Sequence, residues 1–282
     1  MQVSFTRLAA AIVALASLVL AAACVPPSRR LPPVLAEASG LLYRPSPLGP
    51  IAINDGGNPA ALHDPFHASA AVAVAAPNRD WEALAYLDSA RRVCVCDVGD
   101  NARARESFAV YLIDEAGTVD TVVRRYAGGP RDAEACYVHR GELYVATKAR
   151  TGRRPRRKTA YLYRVPLHEG AVAPLAPVDS LSLDRRAITG ASTDGAGTLY
   201  FVAYDFDFAL GLFPYTRTSV GSVSLKPDGR LDHASLRLRA VRAPFTLTQY
   251  EAIDVDRARG ELVLLSERTA WWPPRWRRVA MP

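Results

Sequence analysis

Five short apolar runs of one design recur along this chain, and that recurrence limits the fold more than any other feature. They occupy residues 51–55 (IAIND), 93–97 (VCVCD), 143–148 (LYVATK), 199–204 (LYFVAY) and 262–267 (LVLLSE). Each is β-branched, aromatic or aliphatic at nearly every position, then ends in polar residues. Runs of this kind are strands buried on both faces. Their starts lie 42 to 63 residues apart, close to the length of a propeller blade. A second element precedes four of them, at 80–84, 132–136, 188–192 and 249–253. In three of these four, Glu is followed by Ala at the same point: Glu82, Glu134 and Glu251. Each such Glu lies about 13 to 15 residues before the polar end of its partner run, a spacing that suits a β-hairpin. Outer strands at 108–113, 161–165 and 219–225 would complete each unit. No segment keeps a 3.6-residue apolar stripe, which argues against helical and βαβ architectures. The expectation is an all-β chain, a β-propeller of five blades, or six if residues 62–75 build one with an outlying terminal strand.

The ordered polar punctuation supports the same reading. Asn54-Asp55-Gly56-Gly57-Asn58-Pro59, Asp80-Trp81-Glu82, Asp97-Val98-Gly99-Asp100-Asn101, Asp132-Ala133-Glu134 and Thr147-Lys148 follow one another. Ile188-Thr189-Gly190-Ala191, Gln249-Tyr250-Glu251-Ala252-Ile253 and Ser266-Glu267 continue the series. Over residues 40–282 the chain resembles uncharacterised secreted bacterial propellers, often lipoproteins, related to phytase-like and NHL-repeat propellers. The resemblance implies the fold and leaves the reaction open. The basic loop at 152–158 departs from the pattern.

Antiparallel geometry turns the repeat into a site. In a hairpin, the start of the first strand and the end of the second share one edge of the sheet. If the first strands line a central channel, their leading acids gather at one mouth. Crowded carboxylates repel unless a cation or hydrogen bonds compensate them, and carboxylate and amide oxygens suit Ca²⁺. The expected metal set is Glu82, Glu134 and Glu251, with Asn54, Asp97 and Asp100 nearby. Asp55, Asp80, Asn101, Asp132, Lys148, Thr189 and Glu267 are the expected ligand-binding residues around it. The plainer alternative is that these residues cap strands and close turns, as Asp-Gly and Gly-Asp-Asn do.

The N-terminus reads as an address. Arg7 precedes an uninterrupted apolar stretch at 8–23, about 16 residues and shorter than the ~20 of a spanning helix. Leu20-Ala21-Ala22-Ala23-Cys24 resembles a lipobox, although Ala21 is smaller than the usual aliphatic residue there. Three outcomes stay open: lipidation of Cys24 after removal of a signal peptide at 1–23, ordinary cleavage after Ala23 with secretion, or an uncleaved anchor. Pro26, Pro27, Pro32 and Pro33 suggest an extended tether over 24–39, ahead of the propeller domain at 40–282. Val25 lacks the Asp associated with inner-membrane retention, which favours the outer membrane, facing the periplasm or exterior. Of the remaining cysteines, Cys94 and Cys96 point the same way on a strand; either could bond Cys136 or all could be buried as small hydrophobes.

The chain carries 35 Lys and Arg against 28 Asp and Glu, a net charge of +7. Only three of the basic residues are lysines, so the excess reflects an Arg-rich composition as much as an anionic partner. Nucleic acid fits poorly with an exported, lipid-tailed protein, and a monomer is expected. The basic run 148–158 reads as a solvated loop or a headgroup contact. The segment Trp271 to Arg278 reads as a closing outer strand. His139, beside a turn, is expected in solvent, and His63 and His67 are not expected to share a metal. No hydrolase elbow, phosphate loop, dinucleotide turn or zinc-protease helix is present. Three functions remain: binding of a cation, small molecule or protein at an acidic mouth, Ca²⁺-dependent hydrolysis of phosphoesters, esters or lactones as the phytase-like resemblance implies, and a cell-envelope scaffold.

Overall fold

The apolar runs form strands because branched and aromatic side chains fill both faces of a pleated sheet. The computed structural model describes residues 28–43, 49–67, 71–148, 158–168, 170–209, 213–241, 247–269 and 272–282. In chain order the strands begin with β1 (Arg29–Arg30), β2 (Ala38–Leu42), β3 (Ile51–Asn54), β4 (Ala61–Leu62) and β5 (Val72–Ala73). A first meander is β6 (Trp81–Leu87), β7 (Arg92–Asp97), β8 (Phe108–Ile113) and β9 (Val119–Arg124). A second is β10 (Ala133–His139), β11 (Glu142–Thr147), β12 (Thr159–Val165) and β13 (Asp179–Ser182). A third is β14 (Ala187–Thr193), β15 (Thr198–Ala209), β16 (Phe213–Leu225) and β17 (Leu231–Ala240). The chain ends with β18 (Tyr250–Asp256), β19 (Glu261–Ser266) and β20 (Arg275–Ala280). Among the described residues there is no helix, and so none long and apolar enough to cross a membrane.

Four four-stranded antiparallel sheets result: β6 to β9, β10 to β13, β14 to β17, and β18-β19-β20-β1. Their leading strands pack side by side in a ring, β6 on β10, β10 on β14 and β14 on β18. Strand β2 closes the ring between β18 and β6. This arrangement is a β-propeller. The expected five blades, or six, are corrected to four. The sector led by β2 holds a β2–β3 ladder and a separate β4–β5 ladder, joined by one bridge between Ala52 and His63. Pro59 and Pro65 lie on either side of β4 and offer no N–H to lengthen it, and among the described residues of this stretch the ladder is the two-residue pair of β4 with β5.

The last blade is closed by the beginning of the chain. Arg29 pairs with Trp276 and Arg30 with Arg275. Just beyond, Leu31 and Leu35 are buried against Ala252, Val263 and Leu265. From residue 28 onward, the stretch read as a tether therefore supplies a strand and core side chains, and the boundary drawn at residue 40 falls inside β2. The signal-peptide stretch, Cys24, residues 149–157 of the basic run and Trp271 lie outside the described residues.

Cys94, Cys96 and Cys136 are free and buried in the apolar layer between the first two complete blades. His139 is corrected from solvent to interior: it is buried at the end of β10, and its Nε2 lies 3.0 Å from the Lys226 carbonyl of the next blade. His63 sits buried in the bridge to Ala52, whereas exposed His67 pairs with Asp64 at 3.0 Å, so the two share no site.

Candidate functional site

One irregularity repeats in every leading strand and builds the mouth. The register slips between Ala38 and Gly40, Trp81 and Ala83, Ala133 and Ala135, Ile188 and Gly190, and Tyr250 and Ala252. The bulged residues are therefore Ser39, Glu82, Glu134, Thr189 and Glu251. A bulge re-aims its side chain out of the normal alternation. Ser39 and Thr189 use it to cross to the neighbouring strand, their hydroxyls donating to the carbonyls of Trp81 at 2.7 Å and Tyr250 at 2.8 Å. That close approach explains the glycine that follows each of them. A Cβ on Gly40 would lie 3.0 Å from the Leu84 nitrogen, and one on Gly190 only 2.7 Å from the Glu251 carbonyl oxygen. The three bulged glutamates are followed by Ala instead, and they face an axial cavity of about 180 Å³.

A second register feature brings loop residues to the same cavity. The backbone N–H groups of Asp55, Gly99, Lys148 and Glu267 donate to the carbonyls of Glu37, Asp80, Asp132 and Gln249. Each of those carbonyls lies two residues before a bulge. Asp55, Lys148 and Glu267 thereby join Glu82, Glu134 and Glu251 in the cavity wall, with Glu37, Ser39, Asn101, Tyr204 and Gln249. Six carboxylates thus surround one ammonium. Lys148 Nζ is held by Glu134 Oε1 at 2.7 Å. Burial alone would lower its pKa, but the attraction of Glu134 and Glu251 raises it above the ordinary lysine value.

The expected residues separate into two groups. Glu82, Glu134, Glu251, Asp55, Asn101, Lys148 and Glu267 come together in the cavity, and Asp80 adjoins it. The side-chain oxygens of Asn54, Asp97 and Asp100 are instead engaged by backbone. Asn54 Oδ1 accepts the Glu37 N–H at 3.1 Å, and Asp100 accepts those of Ala104 and Arg105 at 2.9 and 2.8 Å. Asp97, fully buried, accepts from the Asp80 N–H at 3.2 Å and pairs with Arg105 at 2.7 Å. Asp132 accepts the Asp100 N–H at 3.1 Å, and Thr189 is spent on Tyr250. Sequence reasoning missed Ser39, Tyr204, Gln249 and Glu37. The Ala38-Ser39-Gly40 triplet parallels Ile188-Thr189-Gly190 and was the available signal for the first of these.

Within the wall, one oxygen each from Asp55, Asp80 and Glu82 lies within 4.8 Å of the other two. Two glycines make the approach possible. A Cβ on Gly99 would stand 2.5 Å from Asp80 Oδ2 and Glu82 Oε1, and one on Gly56 would stand 2.6 Å from Asp80 Oδ1. Burial is the first cause of the raised pKa values here, with mutual repulsion behind it. Asp55 is pushed up to about 7 and Asp80 is raised, while Glu82, beside Glu134, is driven well above the ordinary value. In the same wall burial pushes Glu251 up to about 8 and Glu267 up to about 7, with Lys148 pulling both back. Such a wall holds protons at neutral pH.

Fold and site together define a β-propeller with an acidic axial cavity. No protein-family model matches the chain, and no curated protein matches it. Among solved structures, a crystal structure of glucose dehydrogenase aligns with TM-score 0.50 and 11% identity, covering 90% of this chain and 99% of that one. A mannose phosphorylase from Leishmania mexicana, MPT-4, solved in complex with phosphate ion, aligns with TM-score 0.43 and 14% identity, over 78% of this chain and 73% of that one. At such identity, likeness speaks for the propeller fold alone.

Proposed function

We propose that the protein is an exported, lipid-anchored propeller that binds Ca²⁺ at its axial mouth through Asp55, Asp80 and Glu82. The convergence of these three carboxylates against Gly56 and Gly99 carries the reading. Three hard oxygens this close repel one another when ionised, and a divalent cation of matching hardness removes that repulsion. Gly56 and Gly99, having no Cβ, let the carboxylates come that close. The signal-like N-terminus and Cys24 support attachment at the outer membrane.

The test compares thermal melts of the mature chain in EGTA and in Ca²⁺. Ca²⁺ is expected to raise the melting temperature, and Asp80→Asn and Glu82→Gln to abolish the rise. No rise with the unmodified chain sinks the cation reading. Mass spectrometry of the mature N-terminus checks the anchor, and an unmodified Cys24 refutes it.

A further inference from the structure

Around Glu251, with its carboxylate ionised, the cavity wall has more hydrogen-bond acceptors than donors. Glu251 is only 7% exposed. Its Oε1 accepts the Tyr204 hydroxyl at 2.7 Å, while its Oε2 is buried with no hydrogen-bond partner among the described residues. A phenol carries one hydrogen, yet the Tyr204 oxygen also lies 3.1 Å from Gln249 Oε1. Gln249 gives one of its two amide N–H groups to Glu267 Oε1. The Lys148 ammonium, the cation in this wall, is bound to Glu134. With Glu251 ionised this buried acceptor is left unmatched at a cost, so this part of the cavity either keeps a proton there or takes a partner that brings donors.

We propose that Glu251, Glu267, Gln249 and Tyr204 form a subsite for the ammonium group of a small organic amine, separate from the cation centre of Asp55, Asp80 and Glu82. The chemistry selects this class. An alkylammonium offers three donors and no acceptor, which complements a surplus of acceptors, whereas an alcohol offers one donor. Among the described residues, Asp55, Asp80 and Glu82 are the trio of carboxylates spaced for a metal, and Glu251 and Glu267 gain no third acid at that spacing. The cavity of about 180 Å³ is large enough to admit a small organic molecule beside its lining groups. The two subsites share no ligand, so a substitution can remove either one and leave the other in place.

Calorimetry on the mature chain in EGTA, with 1,4-diaminobutane as probe, tests the subsite. Diaminobutane is expected to bind at least tenfold more tightly than 1,4-butanediol, which lacks the charge, and than tetramethylammonium, which lacks the N–H donors. At pH 7 its binding should release protons, because burial holds Glu251 up at about 8, and the measured heat should then vary with the buffer. Glu251→Gln is expected to weaken diaminobutane at least tenfold and leave the Ca²⁺ shift in melting temperature unchanged. Asp80→Asn should do the reverse. If Glu251→Gln does not fold, Glu267→Gln carries the same expectation. Equal binding of the three probes, no binding of diaminobutane, or binding untouched by the glutamate variants overturns the subsite. Diaminobutane binding without any Ca²⁺ response leaves the subsite standing and overturns the cation reading alone.

Discussion

Gly99 shows how a residue without a side chain shapes this mouth. Its place is set by the hydrogen bond from its N–H to the Asp80 carbonyl, and the carboxylates of Asp80 and Glu82 occupy the space a Cβ would take. Gly99→Ala is therefore expected to displace those carboxylates, to cost about 1–3 kcal/mol as overpacking does, and to diminish the Ca²⁺ response. Urea unfolding with and without Ca²⁺ measures both effects. Thr189 makes the complementary case. Removing its hydroxyl strands the buried Tyr250 carbonyl, so Thr189→Ala should cost about 1–3 kcal/mol while Thr189→Ser, which keeps the donor, should cost less. A loss no larger for Ala than for Ser would refute the cross-strand role. The glutamates and Lys148 were legible in the sequence as chemistry-bearing positions. The fates of Asn54, Asp97 and Asp100 were not, because a carboxylate facing a cation and one capping a loop look alike until the backbone N–H groups are placed.

At the scale of elements, the hairpins were the legible part, since each pairs an apolar run with a Glu-Ala or Thr-Gly element at fixed separation. The copy in β2 escaped notice because its Ser39 lacks the acid that marked three of the others and follows closely on the proline-rich stretch at 26–33. Strand β1 was also hidden: two arginines carry no strand signature, and their ladder partners, Trp276 and Arg275, lie at the far end of the chain. The segment after β1 anchors this closure through Leu35, which is fully buried. Leu35→Ala is expected to destabilise the protein by about 2–5 kcal/mol, as truncation of a buried leucine does. A denaturation midpoint unchanged by that substitution would show that closure by the N-terminal segment contributes little. The long β15–β16 hairpin exceeds the expected run and carries Phe206 and Phe208 into solvent, 50% and 58% exposed.

For the whole molecule, the balance of charge has a consequence for stability. Asp55 and Glu267 titrate near 7 and Glu251 near 8 in the folded protein, against about 4 for free carboxyls. Between those limits the folded state binds more protons than the unfolded one, so stability falls as pH rises from about 5 to 8. Above that window the loss is complete. Melts in EGTA at pH 5, 6.5 and 8 should descend in that order, and Ca²⁺ should flatten the trend by replacing protons at Asp55, Asp80 and Glu82. A melting temperature that climbs over this range would contradict the buried, proton-holding wall. The net charge of +7 does not show this, since six carboxylates face one lysine inside a surface rich in arginine.

The sequence alone determined that this chain is all-β, that it repeats, and that its acids recur at hairpin edges, because alternation, turn chemistry and spacing are local properties of the chain. Only the tertiary structure decided that four blades are complete, that a bulge aims each leading residue, and which acids meet. Those outcomes depend on ring closure between residues at opposite ends of the chain, which leaves no local trace, and on a one-residue slip in register, whose trace is a small residue after each bulge that reads alone as composition.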